Sequence, residues 1–97
     1  MALQIPITKI NGTWTVPALQ HAAANEDVNW YTPGNEPFQV AFQSTSPFAD
    51  FVIEDRNPRS AAHPGRHHYS FVVFDTAAAP GKKFAMTVGC PEIQVGN

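Results

Sequence analysis

The feature that most constrains the fold of this chain is a two-residue alternation of apolar and polar side chains, which recurs in short segments. Successive side chains of a β-strand point to opposite faces, so this alternation indicates strands with one buried face. Glycine, proline or asparagine bounds each segment, as is typical of turns. About eight strands are predicted, over residues 5–10, 13–16, 27–31, 38–42, 51–53, 69–74, 83–88 and 92–95.

Strands at this spacing predict an all-β protein, built as an antiparallel sandwich or barrel. Only residues 19–24 and 77–79 could form a turn of helix, and both segments are too short to be stable alone. The segment of residues 54–68 has no strand pattern, and we predict a long, functional loop there. The length of 97 residues predicts a single domain over residues 1–97.

Between residues 26 and 95 the strand motifs occur in a particular order. They are Val28-x-Trp30, Pro37-Phe38-x-Val40-x-Phe42, Tyr69-Ser70-Phe71-Val72-Val73, Phe84-x-Met86-x-Val88 after Pro80-Gly81, and Ile93-x-Val95. This ordered set resembles the cupredoxin family, the small blue-copper β-sandwiches. The resemblance implies a single antiparallel Greek-key β-sandwich. An immunoglobulin-like sandwich is the alternative, because many unrelated chains share that architecture.

The copper ligands that the resemblance implies are missing from this sequence. Phe38 stands where the family carries a histidine, and Val88 stands where it carries the cysteine. No histidine follows Cys90 before the end of the printed sequence. A blue-copper centre needs two imidazoles and a thiolate, and neither a benzyl nor an isopropyl group offers a lone pair. The resemblance therefore implies a metal-free domain without a cofactor, in which Phe38 and Val88 pack as apolar side chains.

The low charge of the chain bears on its partners. Charged residues make up 14% of the sequence, against about 25% in an average soluble domain, and the net charge is −2. Such a chain has no broad attraction for nucleic acid or anionic lipid. The sequence as given has neither a signal-peptide pattern nor a run of about 18 apolar residues, so we expect no membrane insertion, and the compartment stays open. The single cysteine, Cys90, excludes an internal disulfide bond within this sequence.

We expect a non-enzymatic structural or protein-interaction module, in an oligomer or a larger assembly. The many aromatic residues and the low charge favour an exposed apolar contact. The preferred contact is the segment of residues 44–51, through Phe48 and Phe51. Guanidinium groups in the predicted loop would add docking for carboxylates or other anions. These groups belong to Arg56, Arg59 and Arg66.

The alternative function is copper or zinc binding by the predicted loop. The spacing of His63, His67 and His68 is compatible with a metal clamp, and imidazole suits both metals. Cys90 or His21 would be a further ligand.

A hydrolase can also be assembled from residue types, with Ser70, His67 or His68, and Asp75 as a triad, or with Cys90 as the nucleophile. No nucleophile elbow or glycine-rich oxyanion loop accompanies these residues. We therefore predict that the chain is not an enzyme.

Overall fold

A computed structural model of the protein describes residues 3–87 and 89–96, and no helix occurs among them. The predicted all-β class is confirmed. The strands in this part of the chain are β1 (Leu3–Pro6), β2 (Thr8–Ile10), β3 (Thr13–Thr15), β4 (Leu19–Ala22), β5 (Asp27–Tyr31), β6 (Phe38–Phe42), β7 (Val52–Ile53), β8 (Arg59–Ser60), β9 (Gly65–Phe74), β10 (Phe84–Met86) and β11 (Glu92–Val95).

The strands form one large sheet and two small ones. The six-stranded sheet has the order β4-β11-β9-β6-β7, and β10 pairs with the second half of β9. The other two sheets are β1-β5-β8 and the β2–β3 hairpin. Their buried side chains share one hydrophobic cluster with the six-stranded sheet, which is consistent with a β-sandwich.

Pairing is mixed rather than wholly antiparallel, which corrects the prediction. β1 pairs with β5 in parallel, and β11 pairs with β4 in parallel, while the remaining pairs are antiparallel. Alternation records which face of a strand is buried, and it holds no information on the direction of the neighbouring strand.

The two segments proposed as helical turns are not helical. Residues 19–22 form β4, in which Ala22 is buried and Leu19 is exposed, so the alternation was present but short. Residues 77–79 belong to the connection between β9 and β10.

The predicted loop of residues 54–68 is wrong in part, because it contains β8 and the first residues of β9. All three of Arg66, His67 and His68 pair with β11, and His67 points into the core whereas the other two point outward. A polar residue on the buried face hides the alternation that marks a strand.

Four aromatic side chains form the centre of the core: Trp30, Phe42, Phe48 and Tyr69. The ring centroids of Trp30 lie 5.5–5.9 Å from those of the other three, in edge-to-face geometry. Such pairs add to the stabilisation that comes from burying apolar area. Burial raises the pKa of Tyr69 to about 12, because the interior disfavours a charged phenolate.

We expect Trp30→Ala to lower the free energy of unfolding by about 3–5 kcal/mol, because it removes the largest fully buried side chain and leaves a cavity. Urea unfolding followed by circular dichroism measures the change. Leu19→Ala is the control, since Leu19 is exposed and should lose less than about 1 kcal/mol. Equal losses in the two variants would contradict this account of the core.

Candidate protein-binding surface

The outer face of the six-stranded sheet carries uncovered apolar side chains near β10. Strand β9 turns Phe71 and Val73 into the core and Val72 and Phe74 outward. In β10, Phe84 lies opposite Phe74 and Met86 lies opposite Val72, so all four share the outer face. The four residues Val72, Phe74, Phe84 and Met86 are called the β10 patch below.

The β10 patch is open to solvent. Phe84 and Met86 are each 71% exposed, and Val72 and Phe74 are half-buried. The ring centroids of Phe74 and Phe84 lie 5.0 Å apart, so the two rings form one contiguous apolar surface. Exposed apolar patches of this kind mark interaction sites in soluble proteins.

Sequence reasoning did not select the β10 patch, although one signal could have found it. Residues 71–74 are apolar without interruption, which is typical of a strand that is covered on both faces. In the structure the core covers only the face that carries Phe71 and Val73. The other face has the composition of a buried surface and lacks a cover among the described residues.

Hydrogen bonds at both ends fix β10 against β9. The Asp75 N–H donates to the Lys83 carbonyl at 2.6 Å, and the Thr87 N–H donates to the Phe71 carbonyl at 2.9 Å. The Thr87 hydroxyl donates to the same carbonyl and accepts the Phe71 N–H. Lys83 Nζ also donates to the Thr76 carbonyl at 2.9 Å, which holds the connection between the strands. These hydrogen bonds hold the backbone of the β10 patch against β9.

The carboxylate of Asp75 joins the β2–β3 hairpin to this end of the sheet. Its Oδ2 accepts hydrogen bonds from Lys9 Nζ at 2.8 Å and from Trp14 Nε1 at 3.0 Å. Its Oδ1 accepts the Ala77 N–H at 3.0 Å. The hydrogen bond from Lys9 is the largest cause, followed by that from Trp14, of a lowered pKa of Asp75.

This placement does not form the triad that the residue types allowed. Ser70 lies on the outward-facing side of β9, whereas Asp75 continues the inward-facing series and is engaged by Lys9 and Trp14. His67 is inward-facing and His68 is outward-facing.

The two residues of the predicted aromatic contact, Phe48 and Phe51, differ in exposure. Phe48 is 3% exposed and packs against Trp30 and Phe42, so its side chain is not available to a partner. Phe51 is 46% exposed, beside a cleft of about 370 Å³ that Phe48 also lines. The sequence did not separate them, because both are phenylalanines in one turn-rich segment.

The three predicted arginines do not converge on one patch. Arg56 donates to the Thr32 hydroxyl and to the Glu36 carbonyl, and its guanidinium carbon lies 5.2 Å from the ring centroid of Phe38. Its hydrogen bonds are thus made within the chain.

The other two arginines have acidic neighbours. Arg59 donates to Asp55 at 3.0 Å, and Arg66, on the outer face of β9, lies 3.7 Å from Glu92. Both contacts are partly or largely exposed and contribute little to stability. Arg66 has the most exposed of these side chains.

The three predicted metal-binding histidines are not brought together either. His67 is buried, and its Nε2 lies 2.9 Å from the His63 carbonyl, to which it donates. Its Nδ1 then accepts the hydroxyl hydrogen of Thr45 at 2.8 Å, so both ring nitrogens are used within the fold. His68 points to the opposite face, where its Nε2 lies 3.8 Å from Glu92.

His63 Nδ1 donates to the Ser46 carbonyl at 3.1 Å, and His21 and Cys90 are exposed at other places. Within residues 3–87 and 89–96, no three His, Cys, Asp or Glu side chains are grouped so that they could hold a metal ion. The geometry gives the metal alternative no support.

The resemblance implies that Phe38 and Val88 stand at former copper-ligand positions. Phe38 is buried in the core cluster beneath Arg56. Val88 lies outside the described residues.

We expect acid to weaken the fold through Asp75. Because its pKa in the folded chain is below the ordinary value of 3.8, the unfolded chain takes up a proton more readily. The contribution of Asp75 is therefore present above about pH 4 and is lost as the pH falls through the lowered folded pKa. The free energy of unfolding, measured in urea at several pH values, should fall more steeply on acidification in the native chain than in Asp75→Asn.

Two further variants test the cause. Lys9→Met removes the hydrogen bond that is the largest cause of the lowered pKa of Asp75 and should raise that pKa, which a carbon-detected NMR titration of the carboxyl group measures directly. Asp27→Asn, at an exposed carboxyl group on β5, should keep the native slope. An acid slope that Asp75→Asn leaves unchanged would show that this contact does not carry the effect.

No protein-family model matches the chain, and no curated protein matches it. The part of the chain that the structure describes contains no helix with the length and apolar character needed to cross a membrane.

Proposed function

We propose that this chain is a metal-free, cupredoxin-like Greek-key domain that acts as a non-enzymatic protein-interaction module and binds through the β10 patch. The observation that carries the proposal is the exposure of Phe84 and Met86, at 71% each, beside the outward-facing side chains of Val72 and Phe74. Exposure of this apolar area to water is unfavourable, and a protein partner that covers it removes the area from solvent.

The cupredoxin-like part of the proposal is supported by the positions of the motifs. Within the described residues, the apolar positions of each motif lie on a separate strand: β5, β6, β9, β10 for Phe84 and Met86, and β11. Their alternate residues Trp30, Val40 and Ile93 are buried together in one cluster.

The side chain of Phe38 supports the metal-free part. It occupies the core as an apolar group, and the guanidinium of Arg56 lies over its ring. A cation held at this place by Thr32 and Glu36 repels a metal cation and stacks favourably on the aromatic face.

The composition of the β10 patch favours a protein partner over nucleic acid. The patch consists of aliphatic and aromatic side chains, without a charged group in the strand β10 itself. Binding to nucleic acid depends on phosphate contacts from several basic side chains, whereas a protein interface has an apolar core and a polar rim. Lys83, directly before β10, is a polar group at the margin of the patch.

The test is native mass spectrometry of the chain recovered from its own host. We expect a stoichiometric complex with a protein, either a second copy or another chain, and no bound metal. Met86→Lys should abolish the complex because it replaces one of the two most exposed apolar side chains of the β10 patch with a charged one. Ile10→Lys is the matched control, since Ile10 is also exposed but lies on β2.

A complex that survives Met86→Lys unchanged would contradict the choice of surface. A monomer that carries one equivalent of copper or zinc would instead contradict the metal-free module.

A further inference from the structure

Strand β10 is an edge strand, and its outward backbone groups have no partner among the described residues. The bonds from Asp75 to Lys83 and from Thr87 to Phe71 show that positions 83 and 87 face β9. Backbone groups alternate in direction along an antiparallel strand, so Ala85 faces β9 as well. The N–H and C=O groups of Phe84 and Met86 therefore point away from β9. Strand β3 lies near β10, but the two strands are not paired in any sheet.

We propose that two copies of this chain associate through antiparallel pairing of β10 with β10, about a two-fold axis that passes beside Ala85. This inference rests on the proposed function and names its partner, a second copy. The unpaired N–H and C=O groups of a strand edge can pair with those of another extended strand.

The outward backbone groups of β10 can pair with the same groups of a second copy related by a two-fold axis. With Ala85 opposite Ala85 of the second copy, Phe84 lies opposite Met86 of the second copy, and Met86 lies opposite Phe84 of the second copy. Both are pairs of residues with outward N–H and C=O groups, so each pair exchanges two hydrogen bonds. The residue on the axis belongs to a non-hydrogen-bonded pair, in which the chains approach most closely, and alanine is small enough for that place.

The side chains agree with this register. Phe84 and Met86 of both copies lie on the same outer face, where the two β10 patches join into one apolar strip. Lys83 of one copy lies opposite Thr87 of the second copy, so no two lysines stand directly opposite each other. A shift by two residues in one direction would set Lys83 opposite Ala85 and would lose half of the backbone bonds.

The short strand predicts a weak and reversible complex. Stable interfaces bury about 1,200–2,000 Å² in total, and three residues from each chain with their neighbouring side chains contribute less than that. We therefore expect a dimer whose population depends on the protein concentration.

Sedimentation velocity under reducing conditions, from about 1 μM to about 1 mM, measures that equilibrium for the full chain. The reductant prevents disulfide dimers through the exposed thiol of Cys90. We expect a monomer–dimer equilibrium that Met86→Pro weakens at least about tenfold, because proline lacks the N–H that the pairing needs and is tolerated in an edge strand. Ile10→Lys, at an exposed position on β2, should leave the dissociation constant unchanged.

Amide hydrogen exchange by NMR gives the register. On dilution, the Phe84 and Met86 amides should lose protection while the Ala85 amide, bonded to β9, keeps it. A chain that stays monomeric at about 1 mM, or a dimer in which these two amides remain unprotected, would overturn the proposal.

The outcomes separate the two proposals. A chain that is monomeric alone, but binds a different host protein in a way that Met86→Lys abolishes, overturns the self-pairing and supports the interaction module. A chain that forms neither complex overturns both.

Discussion

The backbone pairing along β9 is the interaction on which the rest of the structure depends. This ten-residue strand is hydrogen-bonded to β6 on one side and to β11 and β10, one after the other, on the opposite side. Its inward-facing residues, among them Tyr69, Phe71 and Val73, contribute to the centre of the core. Because this one strand sets the register of β6, β10 and β11, the positions of the outward-facing side chains on those three strands follow from it.

The boundaries of the central strands could be predicted from the sequence because their inward residues are apolar and their neighbours are less so. β5 and β6 match the alternation in full. The first half of β9 could not be predicted, since a histidine on the buried face, His67, is satisfied by Thr45 and by the His63 carbonyl. A side chain that finds its hydrogen bonds from distant residues gives no local signal of burial.

The candidate site was harder to predict than the fold for a related reason. Phe48 and Phe51 stand three residues apart and have the same chemistry, but Phe48 alone is buried, through tertiary contacts with Trp30 and Phe42. The arginines were chosen by type, and their distant partners decide what they do: Thr32 and Glu36 hold Arg56 over an aromatic ring. The register of β10 on β9, which creates the β10 patch, is equally a long-range property.

The exposed residues of β10 contribute little to the stability of the monomer. Removing a phenylalanine or methionine side chain from water is worth about 1.5–3 kcal/mol, and Phe84 and Met86 gain only a small part of this within the chain. The fold at this place is held by other groups, namely Asp75, Thr87 and Lys83. The side chains of Phe84 and Met86 add little to the stability of the monomer and lie on an edge strand, and we therefore propose that they have their stabilising effect in a complex. In the proposed complex, the hydrogen bonds that hold β10 on β9 would lower the entropy lost on association, because the strand is already paired before a partner binds.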